Sequence, residues 1–431
     1  MFDQAWPDVS LEELFTINTD GVAPNAAPHT EFHHHSLPAW DVSGGPSVEK
    51  GLTIESNKTR ITKSCVLVSK LNPRKPRVSV VETVPEGEHH CASTEFVCLE
   101  PKSEEPLNFW GHLFSNKSFS ENLDRIAIGS TNSHKRFSPK ALLSQKIELP
   151  PEPERKLIAR ILDTLDTQIQ KTEALIAKLE KVKEGLLHDL LTRGIDDSGR
   201  LRPSPEQAPE LYKESPLGLI PREWDTATLA DLSIENGKYG SGESAASYDA
   251  NLPRYVRITD ITSSGQLDPF SKASIAWGQA EPYMLQPGDL LFARSGATVG
   301  KTYLYDPGDG PCAHAGYVIK FRIEKSVASP KYVFLWTQGE DYWNWIGKTL
   351  RQGAQPNINA SEYGEHLLKL PPAQEQYLIS SMYATHVSKI RSERSVMEKA
   401  KELKAALMDD LLTGRVRVTP LLDKAQATTP A

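Results

Sequence analysis

Leu149-Pro150-Pro151-Glu152-Pro153-Glu154 opens a stretch that closes on Leu190-Leu191-Thr192, and the chain contains that stretch twice. The second copy runs from Leu370-Pro371-Pro372 to Leu411-Leu412-Thr413, at a constant offset of 221 residues. Glu154, Leu157, Ile158, Ile169, Lys178, Lys183, Leu186 and Asp189 recur as Glu375, Leu378, Ile379, Ile390, Lys399, Lys404, Leu407 and Asp410. From Glu154 to Arg193 there is no proline and a single glycine, Gly185. A double proline followed by such a run predicts a long helix with a sharp start. At about 1.5 Å per residue, that helix is roughly 60 Å long.

Its apolar spacing is that of a coiled coil. Ile158, Leu162, Leu165, Ile169, Ile176, Leu179, Leu186 and Leu190 fall on alternating steps of four and three, with Thr172 and Lys183 at the remaining seam positions. A heptad seam needs a partner helix. The second copy keeps the register through Ile379, Tyr383, Ile390, Met397, Ala400, Leu407 and Leu411, interrupted by His386, Glu393 and Lys404. A lone seam would do no more than dimerise a chain. Two seams in one chain can bury each other and so fix what lies between them.

The chain is long enough, at 431 residues, for two or three domains, and its 39% hydrophobic and 24% charged content is that of a soluble globular protein. No run approaches the roughly eighteen apolar residues of a membrane span. Met1-Phe2-Asp3-Gln4 is neither basic nor followed by an apolar core, so a cytoplasmic protein with no membrane partner is expected. Cys65, Cys91, Cys98 and Cys312 form no C-x-x-C pair, which speaks against zinc. Cys91 and Cys312 recur at the same offset, which suggests a shared core position. The net charge of -7 announces no nucleic-acid binding, although a local basic face depends on distribution rather than sum.

In chain order, the expected pieces are a globule (1–148), a helix (149–193), a linker (194–215), a second globule (216–369), a second helix (370–416) and a disordered tail (417–431). Trp6 to Leu14 reappears as Trp224 to Leu232. His33-His34-His35 reads as a loop; it lacks helical spacing and carboxylate company, so no metal site is expected there. Cys65 to Lys70 reads as a buried strand. The run Lys70 to Arg77 carries four positive charges, and Pro73 and Pro76 place them on an extended loop. Residues 129–136 and 350–357 are polar, basic loops just upstream of each double proline. Strand-like runs include 255–258, 289–293, 302–305 and 317–323. The class is therefore α+β: two mixed α/β globules joined by two long antiparallel coiled-coil helices, an internal pseudo-two-fold repeat.

Gly296 to Thr302 tempts one toward a nucleotide-binding loop. That motif needs four residues between its glycines and must open a helix; here there are three, and Thr302-Tyr303-Leu304-Tyr305 continues as strand. A hairpin presenting Arg294, Ser295 and Lys301 suits a nucleic-acid phosphate or a base edge instead.

The run Leu285 to Lys301 resembles the signature hairpin of type I restriction–modification specificity subunits. Trp224 to Leu232 resembles the start of their target-recognition domains, and the two Leu-Pro-Pro-x-x-Glu segments at 149–154 and 370–375 resemble the start of their conserved spacer helices. Asp-Leu-Leu-Thr at 189–192 and 410–413 resembles the helix exit. The resemblance covers nearly the whole chain. It implies target-recognition domains that each read one half of a bipartite, asymmetric site on double-stranded DNA. It also implies helices that set the spacing and dock two methyltransferase subunits, and it leaves room for restriction or translocase subunits. S-adenosylmethionine, ATP and Mg would then reside on partners and no cofactor on this chain. The first globule departs from the pattern, because Leu71 to Arg77 replaces the glycine hairpin.

No F-x-G-x-G, no Asn/Asp-Pro-Pro-aromatic segment, no complete Walker motif and no nuclease-like carboxylate cluster is found, so the expectation is a non-catalytic subunit. The candidate DNA contacts are Lys70, Arg74, Lys75, Arg77, Lys135 and Arg136 in the first globule. In the second they are Arg294, Ser295, Lys301, Arg351, Gln355 and Asn357, the last two suited to adenine edges. Trp336, Tyr342, Trp343 and Trp345 read as one helical aromatic cluster in the core rather than a base-stacking platform. A coiled-coil scaffold whose globules bind protein is the competing reading.

Overall fold

The computed structural model describes residues 5–129, 131–350 and 356–422. The chain divides into two compact units, residues 1–174 with 394–431, and residues 175–393. Among the described residues no helix is long and apolar enough to cross a membrane.

The first unit is built on two sheets. One has four antiparallel strands in the order Phe15–Asn18, Phe96–Pro101, Cys65–Ser69, Val78–Val81. Cys65–Ser69 is buried at every position, as a strand covered on both faces must be. The other has five strands, in the order Gly21–Val22, Lys58–Ile61, His89–Ala92, Glu31–His35, Ser47–Lys50. Within it His89–Ala92 and Glu31–His35 run parallel. The triple histidine is therefore strand, not loop. Burial of Phe32, His34 and His35 overrides the polar look of the sequence.

The second unit repeats the four-stranded order with Lys238–Tyr239, Val318–Arg322, Asp289–Ala293, Thr302–Leu304. Its other sheet orders Ala246–Ser247, Ala273–Ser274, Arg254–Val256, Cys312–His314, the last two parallel. Cys91 and Cys312 thus occupy matching strands, and both are fully buried. In each unit the segment after the repeated tryptophan pairs with the strand before the double proline: Asp8–Ser10 with Lys146–Glu148, and Asp225–Thr228 with Leu367–Leu370.

Two long helices run over Glu152–Thr192 and Ala373–Leu412, and each contributes to both units. In the first unit, Ile158 and Leu162 near one helix start and Leu411 and Leu412 at the other's end join a core with Leu11, Phe15, Trp110 and Leu142. In the second, Leu190, Leu191 and Ile379 join Trp224, Phe292, Phe321 and Tyr332. Two of the polar seam residues, Lys404 and His386, find partners, as does the neighbouring Lys401. The Lys404 ammonium meets Asp166, Lys401 meets Glu173 at 2.9 Å, and His386 Nε2 lies 2.9 Å from the Leu179 carbonyl.

Three expectations need correction. Residues 194–215 are packed rather than a plain linker: Ile195, Arg202 and Tyr212 are buried, and Tyr212–Ser215 forms a hairpin with Gly218–Pro221. The tail does not begin at 417, because Arg417 pairs with Glu154 and Val418 is buried in the first core; residues 423–431 lie outside the described residues. The aromatic cluster spans two helices, Pro330–Trp336 and Glu340–Thr349, since Gly339 breaks the run. Trp336 and Tyr342 are buried, whereas Trp343 is 40% exposed.

Candidate nucleic-acid interface

In each unit the third and fourth strands of the four-stranded sheet are joined by an eight-residue loop, 70–77 and 294–301. In the second unit this loop closes tightly. The Gly300 amide donates to the Ala293 carbonyl and the Ala293 amide to the Lys301 carbonyl, at 3.0 and 2.8 Å. Gly296 and Gly300 take φ of +71° and +86°, a left-handed geometry that disfavours any side chain. Buried tyrosines grip the base from behind, Tyr363 Oη donating to the Ala293 carbonyl and Tyr342 Oη to the Gly300 carbonyl. Burial pushes both phenols above their ordinary range, so they stay protonated donors.

A second segment is laced to this loop. Gly296 donates to the Pro356 carbonyl at 3.0 Å, Ile358 donates to the Arg294 carbonyl at 2.9 Å, and Ser295 bridges Asn357. Asn359 then caps the helix Ala360–Gly364, accepting from the Glu362 amide while Glu362 accepts from Asn359. Arg294 Nε donates to Asn357 Oδ1 at 3.1 Å, and its guanidinium lies 4.7 Å from the Tyr239 ring centroid. These interactions aim a cation without cancelling it.

The other candidates in this unit fare differently. Lys301 Nζ turns inward, donating to the Ile261 carbonyl at 3.2 Å, and Ser295 is 8% exposed. Arg351 and Gln355 lie outside the described residues. Thr302 enters a strand, so the Gly-Lys-Thr run opens no phosphate-binding helix. Tyr239 and the 64% exposed Tyr317, whose carbonyl accepts from the Arg294 amide, belong to this surface although the sequence reading missed them. Only their aromatic character could have signalled it.

In the first unit the loop 70–77 is drawn against 128–136. The Asn72 amide donates to the Lys135 carbonyl at 2.9 Å, Arg136 bridges Leu71, and Asn72 itself takes φ of 51°. The six basic candidates do gather here, but five of them meet carboxylates. Arg77 makes a two-pronged pair with Asp41, at 2.9 Å for each prong, and Lys75 joins it at 2.8 Å. Arg74 and Lys135 share Asp124, and Arg136 meets Glu95. Hydrogen bonds from Arg77 and then Lys75 hold the Asp41 carboxyl below its ordinary range; Arg74 does the same for Asp124. Arg77, expected as a DNA contact, is buried with its guanidinium held by Asp41. Arg74 and Lys75 keep more than half of their side-chain exposure, and such surface pairs open at little cost. Lys70 makes no ion pair among the described residues.

The parallel strand pair of this unit also gathers histidines. His33, expected to lack carboxylate company, has Glu88 Oε2 at 3.4 Å from its Nε2, and His90 Nε2 lies 2.9 Å from the same oxygen. Strand pairing brings together residues more than fifty positions apart, which no local spacing could reveal.

Residues 4–181 match the family model of the type I restriction modification DNA specificity domain. The chain is 26% identical over 291 residues to the type I restriction enzyme MjaVIII specificity subunit of Methanocaldococcus jannaschii, covering 64% of this chain and 63% of that one. It is 23% identical over 322 residues to the EcoBI specificity subunit of Escherichia coli, covering 68% and 66%. The chain thus spans just under two thirds of the length of these curated relatives. Among solved structures, the HsdS subunit from Thermoanaerobacter tengcongensis covers 96% of this chain and 98% of its own at 18% identity, with a TM-score of 0.51. The S subunit of a type I system from M. genitalium covers 96% and 97% at 12% identity, with a TM-score of 0.56. Those likenesses establish the fold, with mixed helix and sheet. Residues 4–181 thus resemble the type I restriction modification DNA specificity domain, and the chain as a whole is similar to the specificity subunits of such systems.

Proposed function

We propose that this chain is the DNA-recognition subunit of a type I restriction–modification complex, with each unit reading one half of a bipartite, asymmetric site on double-stranded DNA. The observation that carries the reading is the hairpin of the second unit, where Arg294 is oriented by Asn357 and Tyr239 and meets no carboxylate among the described residues. An arginine so held suits a phosphate or a guanine edge. Support for two readers comes from the matching strand orders, matching cysteines and matching loops of the two units.

The two long helices act in this reading as an antiparallel coiled coil related by a pseudo-two-fold repeat. They set the gap between half-sites and offer their outer faces to two methyltransferase subunits. Half-sites about one DNA turn apart, roughly 34 Å, fall within the reach of helices of about 60 Å. The chain itself is non-catalytic; S-adenosylmethionine, ATP and Mg belong to the methyltransferase and to any restriction or translocase subunit, all in the cytoplasm. Co-expression with the cognate methyltransferase, followed by genome-wide mapping of methylated bases, tests this. A split motif with a fixed gap is expected, and methylation without a split motif would overturn the reading.

The neutralised basic loop of the first unit favours a second reading there, a protein-binding scaffold. Filter binding of random duplex DNA at low and moderate salt separates the two, since a scaffold retains no salt-sensitive DNA.

A further inference from the structure

We propose that the first unit binds a divalent transition-metal ion of the zinc class between His33, His90 and Glu88. His33 and His90 are direct partners across the parallel strands Glu31–His35 and His89–Ala92, so their side chains leave the same face of the sheet. Their rings stack with centroids 4.4 Å apart and planes 6° from parallel. Glu88, two residues before His90, brings its carboxylate to both rings. One donor atom from each of the three residues falls within 4.8 Å of the others.

That set of donors is the set zinc takes. Imidazole nitrogens and a carboxylate oxygen bind it at about 2.0–2.2 Å in a tetrahedron, which leaves one position for water. Ligand atoms in such a tetrahedron stand roughly 3.3–3.5 Å apart, by that bond length and angle. The Glu88 oxygen already stands 3.4 Å from His33 Nε2 and 2.9 Å from His90 Nε2. Closing on an ion requires rotation of side chains, not of the sheet.

Without a cation the cluster is poorly matched. His35, the next residue on that face of its strand, packs its ring 5.8 Å from His90 while Nδ1 contacts Ser79 Oγ at 3.2 Å. His35 Nε2 and His90 Nδ1 are both buried without a hydrogen-bond partner. A gathering of imidazole nitrogens around one carboxylate is the donor set a divalent ion takes, and the ion would clasp the turn at Gly87 to the strand Glu31–His35.

Titration of the full-length, tag-free chain with Zn2+ alone by calorimetry, and with Co2+ by visible absorption, tests the proposal. One equivalent of zinc bound at micromolar or lower Kd is expected, with cobalt giving the intense visible bands of a four-coordinate site. His33→Asn and Glu88→Gln, both at partly exposed positions, should each weaken binding at least about tenfold. His89→Gln, on the opposite face of the strand, should leave it unchanged. Absence of saturable binding, or equal affinity in the parent and both ligand variants, would overturn the proposal. So would six-coordinate cobalt spectra with a loss of binding in His89→Gln.

Discussion

Glu375 accepts hydrogen bonds from Arg202, Nη2 to Oε2 at 2.9 Å, across 173 residues of chain, and both side chains are nine-tenths buried. Its carboxylate also takes Trp224 Nε1 at 3.0 Å and the Ile195 amide at 2.8 Å. The start of one long helix is thereby locked to the segment that follows the other. The first unit uses the same device. Glu154 accepts from Arg417 Nε at 3.0 Å and Nη2 at 2.6 Å, and the Arg417 guanidinium lies 5.0 Å from the Trp6 ring centroid. The glutamate of the repeated Leu-Pro-Pro-x-x-Glu motif is thus the acceptor for an arginine supplied after the other helix.

Removing one partner of such a pair leaves a buried charge uncompensated. Glu375→Ala is expected to cost about 3–5 kcal/mol of stability. Glu154→Ala should cost less, because Arg417 keeps 30% of its side-chain exposure against 10% for Arg202. The shift in urea midpoint of each variant, followed by tryptophan fluorescence, provides the comparison. Equal shifts would contradict the ordering.

Arg294→Ala should weaken specific DNA binding by about 1–3 kcal/mol, roughly five- to 150-fold, by loss of a positioned base or phosphate contact. Arg77→Ala should instead lower stability while leaving the salt dependence of binding unaltered, because that guanidinium is occupied by Asp41. Arg74→Ala should reduce the slope of log K against log salt by about 0.9 if its ion pair opens onto a phosphate. Fluorescence anisotropy across a salt series reads all three.

The repeat, the long helices and the hairpin were legible because each rests on local chemistry. Proline starts a helix, heptad spacing marks a seam, and Gly296 and Gly300 mark a turn wherever they occur. The site was only half legible, because charge on a loop says nothing of its partner. Asp41 and Asp124 lie 36 and 50 residues from the arginines they occupy. The seam positions of His386 and Lys404 looked like defects for the same reason. Their partners, the Leu179 carbonyl and Asp166, come from the other copy of the helix.

Stability should fall as pH drops below the ordinary histidine range. Burial lowers His314 and His366 to about 4 each. A depressed folded-state value means the unfolded chain binds the proton first, so stability is fully present above about pH 6.5 and declines toward pH 4. For His366 the cause is visible: its Nε2 accepts from Trp336 Nε1 at 3.2 Å, and a protonated ring cannot accept. Each such histidine should cost about 2 kcal/mol at pH 5. Thermal melts between pH 8 and 5 should slope accordingly, and His366→Gln, which keeps an acceptor but does not titrate, should flatten the slope.

The globule 216–369 should not fold when excised, whereas residues 175–393 should. The second unit is continuous in the chain and includes the end of one long helix and the start of the other. Leu190, Leu191, Ile195 and Ile379 belong to the same core as Trp224 and Tyr332, so cutting at 216 and 369 strips apolar cover from both. The cut also removes Glu375, which leaves the buried Trp224 Nε1 without its acceptor, at about 1–3 kcal/mol. Near-ultraviolet circular dichroism and amide exchange on the two fragments should separate them. A cooperative melt and protected amides are expected for 175–393, and neither for 216–369.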